Sequence, residues 1–414
     1  MAATQAIAAT SITAFLLATT EICAAASQGA IKQSVWQPPC TLASELNKAP
    51  QLALMLINEA NEAIEKAQKQ TRKLEIYATM QQDADQYTKY AILAAAMADA
   101  TLQIKTQAKE SLKTAVQYVA AAEFAAGDIH SFAKLLKQST RDASHSCVAD
   151  SQADTALPTG QVGTQLDACL AGPAQTISPA TKQSKPTAAG LQGKTTQVAA
   201  ATTSSAKGCP LTDTTNANNW LHNNGAAQES KLIFAAGLVK ITSTGAALTQ
   251  FKGDGTAEDT DVLAQLNHAA KHLKDLDTAT FGEGETQGNK TIEDLINGQG
   301  TTHYLKVLTK TDAQGVADEK TKLYSTPASD WRKQLWYKIE ETQIPAEATG
   351  ASERKPLKAI TDLKELNSAL FYYQTQIRKK LSVTTEELNK LSNQKNKKNA
   401  GKIEEEFNKA GNSE

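Results

Sequence analysis

Two groupings in this sequence have residue types and spacing that could do chemistry. In "NHAAKH", His268 and His272 stand four apart, the spacing at which two imidazoles on one helical face can share a metal ion. A hydrolytic zinc helix also needs Glu directly after the first His, but Ala269 occupies that place and no third ligand lies nearby. The pair therefore reads as an exposed helix face. "GKTTQ", from Gly193, has the ending of a phosphate-binding loop, yet Ala188 stands where that motif requires glycine and no strand leads into it. A G-x-S-x-G elbow and a C-x-x-C pair are both lacking. Acidic neighbours such as Glu340 and Glu341 read as solvated helix surface. No catalytic group, metal or cofactor is expected, and the chain does not read as an enzyme.

A third grouping concerns covalent structure. The opening "MAATQAIAATSITAFLLATTEICAAAS" has an apolar stretch around Ile12 to Ala18, then small residues near Ala24 and Ala26. That is the pattern of a secretory signal over residues 1–26 with cleavage near Ala26, although no Lys or Arg precedes the apolar stretch. A buried N-terminal helix is the plainer reading, and the rest of the chain favours secretion over it. Removing the segment also removes Cys23 and leaves Cys40, Cys147, Cys169 and Cys209. An even number in an oxidising compartment implies two disulfides, whose three possible connectivities spacing does not separate. The one N-x-S/T sequon, "NKT" from Asn289, follows the turn-like "GEGETQG" and is expected to carry a glycan in a secreted chain.

These residues need elements to hold them. The chain has 414 residues, 41% hydrophobic but only 5% aromatic, so its core must be aliphatic and rich in alanine. A net charge of -1 argues against nucleic acid as a partner. No run of eighteen apolar residues offers a membrane span. From Leu42 to about Ala78 apolar and small residues recur at alternating steps of four and three, through Ala53, Ile57, Ala60, Ile64, Ala67, Thr71 and Leu74. That is a heptad seam. The polar "QQDADQ", Gln81 to Gln86, predicts a reversal. A second seam then runs from Ala94 to Leu136, in a helix of roughly 70–80 Å at 1.5 Å per residue. Two long helices with a short connection fold back antiparallel, giving a rod.

Residues from Asp150 to about Ser230 are rich in Thr, Ala, Ser, Gln, Gly and Pro and support little core, so cross-links must supply order there. "KLIFAAGLVKIT", Lys231 to Thr242, predicts a strand or two. Helical patterning returns around Asp261 to Leu276, Ile292 to Leu308 and Asp330 to Thr342. A last seam from Ile360 to Leu391 is long enough to pack along the hairpin as a third strut. The final "NQKNKKNAGKIEEEFNKAGNSE" reads as a charged linker over residues 396–414. Beside the main seam, Leu102, Leu112, Val116 and Val119 widen the apolar stripe beyond what one partner helix covers, so an elongated homodimer is expected.

Taken together, "KQSVWQPPCTLASELNKAP", "LEIYATM" near the hairpin turn, "DWRKQLWYKIEE" and "LFYYQTQIRKKL" make the chain resemble the variant surface glycoproteins of African trypanosomes. The class A N-terminal domain is the best match, and the resemblance extends over residues 27–395 and beyond. It implies a mainly α fold: an antiparallel coiled-coil rod with further helices and loops along it and a small β-containing membrane-distal head. It implies pairing of the first cysteine with the third and the second with the fourth, Cys40–Cys169 and Cys147–Cys209. It also implies an abundant surface coat protein that shields the cell and evades host antibodies by antigenic variation. Its partners would be a second copy, neighbouring coat molecules and host antibodies. A small C-terminal domain and a glycolipid (GPI) anchor at the outer face of the plasma membrane would follow residue 414. A related trypanosome receptor, similar to the transferrin-receptor subunits and binding a host macromolecule, is the alternative.

Overall fold

A computed structural model of the chain describes residues 29–140, 146–150, 156–157, 159–172, 176–181, 184–199, 201–203, 209–212, 232–242, 245–254, 262–277, 292–324 and 335–411. The protein is mainly α, with long helices and two small sheets. It divides into two compact units, one of Met1–Asn58 with Lys109–Thr280 and one of Glu59–Ala108 with Phe281–Glu414. Helices α1 (Gln33–Leu46), α2 (Ala49–Met80) and α3 (Ala84–Gln138) come first, α3 being 55 residues long.

The helix expected from Leu42 starts earlier and is interrupted. Pro50 lacks the N–H that would continue the ladder of α1, so α1 closes at Asn47 and α2 begins afresh at Ala49 with the proline in its first turn. At the front, α1 continues back through Pro38 and Pro39 to Gln33, and so includes Cys40. Burial of Val35, Trp36, Pro39 and Leu42 outweighs the poor local propensity of the proline pair.

In the first unit the second seam behaves as its spacing predicts. Ala115, Tyr118, Ala122, Ala125, Ile129, Phe132 and Leu136 of α3 are all buried. Helix α4 (Thr159–Leu170) packs on α1 through Val162, Leu166 and Cys169, and the short α5 (Ala188–Leu191) packs on both α1 and α6 (Ala264–Asp277). Strands β1 (Leu232–Phe234), β2 (Val239–Thr242) and β3 (Gly245–Leu248) form an antiparallel sheet in that order, with Ile233 opposite Lys240 and Lys240 opposite Ala247. Between β1 and β2, Ala235, Ala236 and Gly237 have φ of 53°, 55° and 90°. A Cβ on Gly237 would lie 1.7 Å from the Val262 carbonyl oxygen, so only glycine fits there.

In the second unit the two long helices form the expected hairpin. Ala63, Ala67, Leu74 and Ala78 of α2 share a core with Leu93, Ala94, Met97, Ala100 and Ile104 of α3. The reversal is complete within residues 81–83, and Asp83 Oδ1 caps α3 by accepting from Gln86 N at 2.8 Å. Helices α7 (Ile292–Asn297), α8 (Gln299–Thr309) and α9 (Ala313–Leu323) then pack onto the hairpin, α7 and α8 being separated at Gly298. Helix α10 (Tyr337–Glu341) precedes β4 (Gln343–Ile344), α11 (Ala346–Thr349) and β5 (Lys355–Pro356), and a 3-10 turn at Leu357–Ala359 leads to α12 (Leu363–Gly411).

The third-strut expectation holds for part of α12 only. Leu366, Ala369 and Leu370 are buried in the hairpin core, but Leu381, Leu388 and Leu391 are about 60% exposed. Heptad spacing marks a face that can pack; it does not supply the partner. Residues 396–411, read as linker, continue this helix.

Candidate functional site

Among the described residues of the first unit, distant segments meet where the chain leads into α1. Ile31 N donates to the Cys147 carbonyl (2.9 Å) and Ala149 N donates back to the Ile31 carbonyl (3.0 Å). On the other side, Lys32 N donates to Ala201 O and Thr203 N to Ala30 O, at 3.1 and 2.8 Å. Residues 30–32 thus run between two segments more than a hundred residues away in sequence. Thr203 Oγ1 accepts from Ala30 N, and Thr212 Oγ1 donates to the Gly29 carbonyl at 2.7 Å. A Cβ on Gly29 would fall 1.9 Å from Thr203 O, so the segments meet backbone to backbone. Further along, Ala201 N donates to Ala246 O and Val198 bonds both ways with Leu248, which joins this ladder to β3.

Both disulfides lie at this place. Cys40 of α1 is bonded to Cys169 of α4, with Cα atoms 4.5 Å apart. Cys147 is bonded to Cys209, with Cα atoms 4.6 Å apart. All four are buried. Trp36, one turn before Cys40, donates from Nε1 to the Ala149 carbonyl at 3.2 Å and so ties α1 to the strand beside the second bridge. Such closures restrict the unfolded chain most where the enclosed loop is long, and here they enclose separations of 129 and 62 residues.

Ionisable groups packed behind this region are held away from their ordinary behaviour. The Tyr118 hydroxyl is buried without a hydrogen-bond partner, and burial, then the charges of Glu45, Asp277 and Glu123, push it well above the usual phenol range. Burial also raises Glu123. Asp277 Oδ2 accepts from Ala188 N at 2.8 Å, tying α6 to α5.

The motifs weighed for chemistry take structural places. His268 and His272 lie on α6 with ring centroids 6.3 Å apart, and burial lowers His272. Among the described residues no group of three His, Cys, Asp or Glu side chains could hold a metal ion. In "GKTTQ", Thr195 Oγ1 accepts from Phe251 N at 2.8 Å and Lys194 approaches Glu45 at 4.0 Å. That segment is stitched to a neighbouring strand rather than curled around an empty phosphate cradle. Asn289 and Ala26, the expected glycan and cleavage positions, lie outside the described residues.

Sequence reasoning did not find the Thr203 and Thr212 side chains that fix the entry to α1, nor the Asn47 amide described below. Threonines in a Thr-rich stretch carry no periodic signal. Among the described residues of the second unit, one open cleft of about 860 Å³ is lined by Glu347, Lys364, Phe371, Tyr372, Gln376 and Lys379. Phe371 is 71% exposed there, and no buried polar group converges on the cleft.

A mainly α chain whose described residues include three long helices, two small antiparallel sheets and two buried disulfides defines an architecture that comparison identifies. The family model of the A-type trypanosome variant surface glycoproteins matches residues 13–374, and the chain belongs to that family. These are coat glycoproteins of the trypanosome surface. Variant surface glycoprotein MITAT 1.2 of Trypanosoma brucei brucei is 25% identical over 377 residues, covering 87% of this chain and 76% of that protein. The solved structure of MITat 1.1 superimposes with a TM-score of 0.69 at 19% identity, over 87% of this chain and all of that one. Its likeness establishes the fold. Among the described residues no helix is long and apolar enough to cross a membrane.

Proposed function

We propose that this protein is a non-enzymatic coat component: a densely displayed glycoprotein that shields the trypanosome surface and evades host antibodies by antigenic variation. The observation that carries this reading is the A-type family match across residues 13–374. The architecture is consistent with it, because a framework of buried seams and disulfides tolerates change at exposed loops. Attachment through a C-terminal glycolipid and a glycan at Asn289 belong to the same reading. So does a homodimer: Leu102, Val116 and Phe124 of α3 are 60%, 67% and 59% exposed, and a second copy would shield them.

Quantitative surface labelling tests the role directly. A coat protein should dominate the labelled surface protein of a cell that expresses it. A scarce product concentrated at one place would instead mark a receptor, and would overturn the reading. Light scattering at micromolar concentration should return twice the chain mass, and a compact monomer would overturn the assembly.

A further inference from the structure

Asn47 closes α1, and its Nδ2 donates to the Ala171 carbonyl just past α4 at 3.1 Å. The same nitrogen lies 3.4 Å from His130 Nε2 on α3. The amide oxygen of Asn47 is buried and has no partner. His130 itself is 9% exposed. Since Nδ2 offers only hydrogens, Nε2 must present its lone pair, and the neutral ring carries its proton on Nδ1. Burial first, then the Lys134 ammonium one turn along α3, holds this imidazole below the usual histidine range. Among the described residues Lys134 is the charge acting on the ring; from other elements the Asn47 amide, bonded in turn to the Ala171 carbonyl, faces it.

We propose that Asn47 and His130 form a proton-operated latch, which ties the end of α4 to the α1–α2 joint when neutral and releases it when protonated. A proton taken from solvent at Nε2 sets N–H against N–H, and the existing contact is lost. The local remedy is a half-turn of the Asn47 amide, which brings its oxygen to the imidazolium. That rotation moves Nδ2 off the Ala171 carbonyl and puts oxygen against oxygen there. One proton therefore exchanges one bond for the other. Cys169, two residues before Ala171, stays bonded to Cys40, so the release is confined to the last turn of α4 and the residues after it. The sign follows from linkage. The folded ring binds its proton more weakly than the unfolded one, so the latch's contribution is complete above the unfolded value of about 6.5 and is lost as pH falls below it.

Hydrogen exchange read by mass spectrometry at about pH 7.5 and about pH 5.5 tests this, after correction for the chemical dependence of exchange on pH. In the intact disulfide-bonded protein, amides of residues 167–172 should open several-fold more readily at the lower pH. The variant His130→Gln keeps an oxygen that can accept from Asn47 and cannot take the proton, so its opening should be flat across the same range. No excess opening in the unaltered protein, or the same step in the variant, would overturn the latch. Should the variant not fold, the ring of His130 followed by NMR in the unaltered protein decides: titration at or above the free-histidine value refutes it.

Discussion

The rings of Tyr77 and Tyr90 meet edge to face across the hairpin, with centroids 4.6 Å apart and planes at 84°. Tyr77 lies in the last turn of α2 and Tyr90 in the second turn of α3, so the contact joins the two helices close to the reversal. Burial and the neighbouring Tyr77 hydroxyl push the Tyr90 hydroxyl above the usual phenol range. Tyr90→Ala should cost about 3–5 kcal/mol, the range for emptying a buried aromatic site. Denaturant unfolding followed by a probe in the second unit would read this. A double-mutant cycle with Tyr77→Ala should return a coupling of about 0.5–1.5 kcal/mol for the ring pair, and additive losses would contradict it.

Replacing Cys40 and Cys169 together by serine should lower stability by about 2–5 kcal/mol, because the bridge closes a long loop. The loss should concentrate in α1 and α4. Hydrogen exchange that loosened only the second unit would contradict this assignment.

Gly237→Ala should destabilise the small sheet by about 1–3 kcal/mol, through both its positive φ and the collision with the Val262 carbonyl. The control Gly127→Ala has open space around the new methyl group on α3 and should be neutral or slightly stabilising. Thermal melts of the two variants side by side check the contrast.

Asn289 should bear an N-linked glycan in protein isolated from the trypanosome. Intact mass before and after an N-glycosidase decides it: a mass unchanged by the enzyme excludes the modification.

Much of this architecture was legible in the sequence because heptad seams are periodic and long. Along the predicted seam of α3, Ala94, Met97, Ile104, Ala115, Tyr118, Ala122, Ile129 and Leu136 are all buried. What escaped notice depended on contacts distant in sequence. Helix α4 forms in a Thr- and Gly-rich stretch because Val162, Leu166 and Cys169 find α1, which local composition cannot announce. The opposite failure befell Leu381, Leu388 and Leu391, whose spacing promised a partner while their surroundings provide none among the described residues. Pro50 was readable in principle; its missing N–H is a local effect, and the heptad pattern simply ran across it. The chemistry-like motifs each lack a required member, as at Ala188 and Ala269.

The connectivity of the two disulfides has a consequence for how the molecule is made. Their spans interleave: Cys147 lies inside the loop closed by Cys40 and Cys169, and its own partner, Cys209, lies outside it. Once the expected signal segment and its Cys23 are removed, a growing chain presents Cys40 with Cys147 while Cys169 is still unsynthesised. The earliest available bond is thus a wrong one, and the native pairing is reached by keeping Cys40 reduced or by thiol exchange afterwards. The backbone ladder around Ile31 runs to the same schedule, since its outer side awaits Thr202. The segment around Ile31 is among the last of the described residues to settle, and yield in a foreign secretory host will track the supply of disulfide exchange catalysts more closely than the intrinsic speed of helix formation.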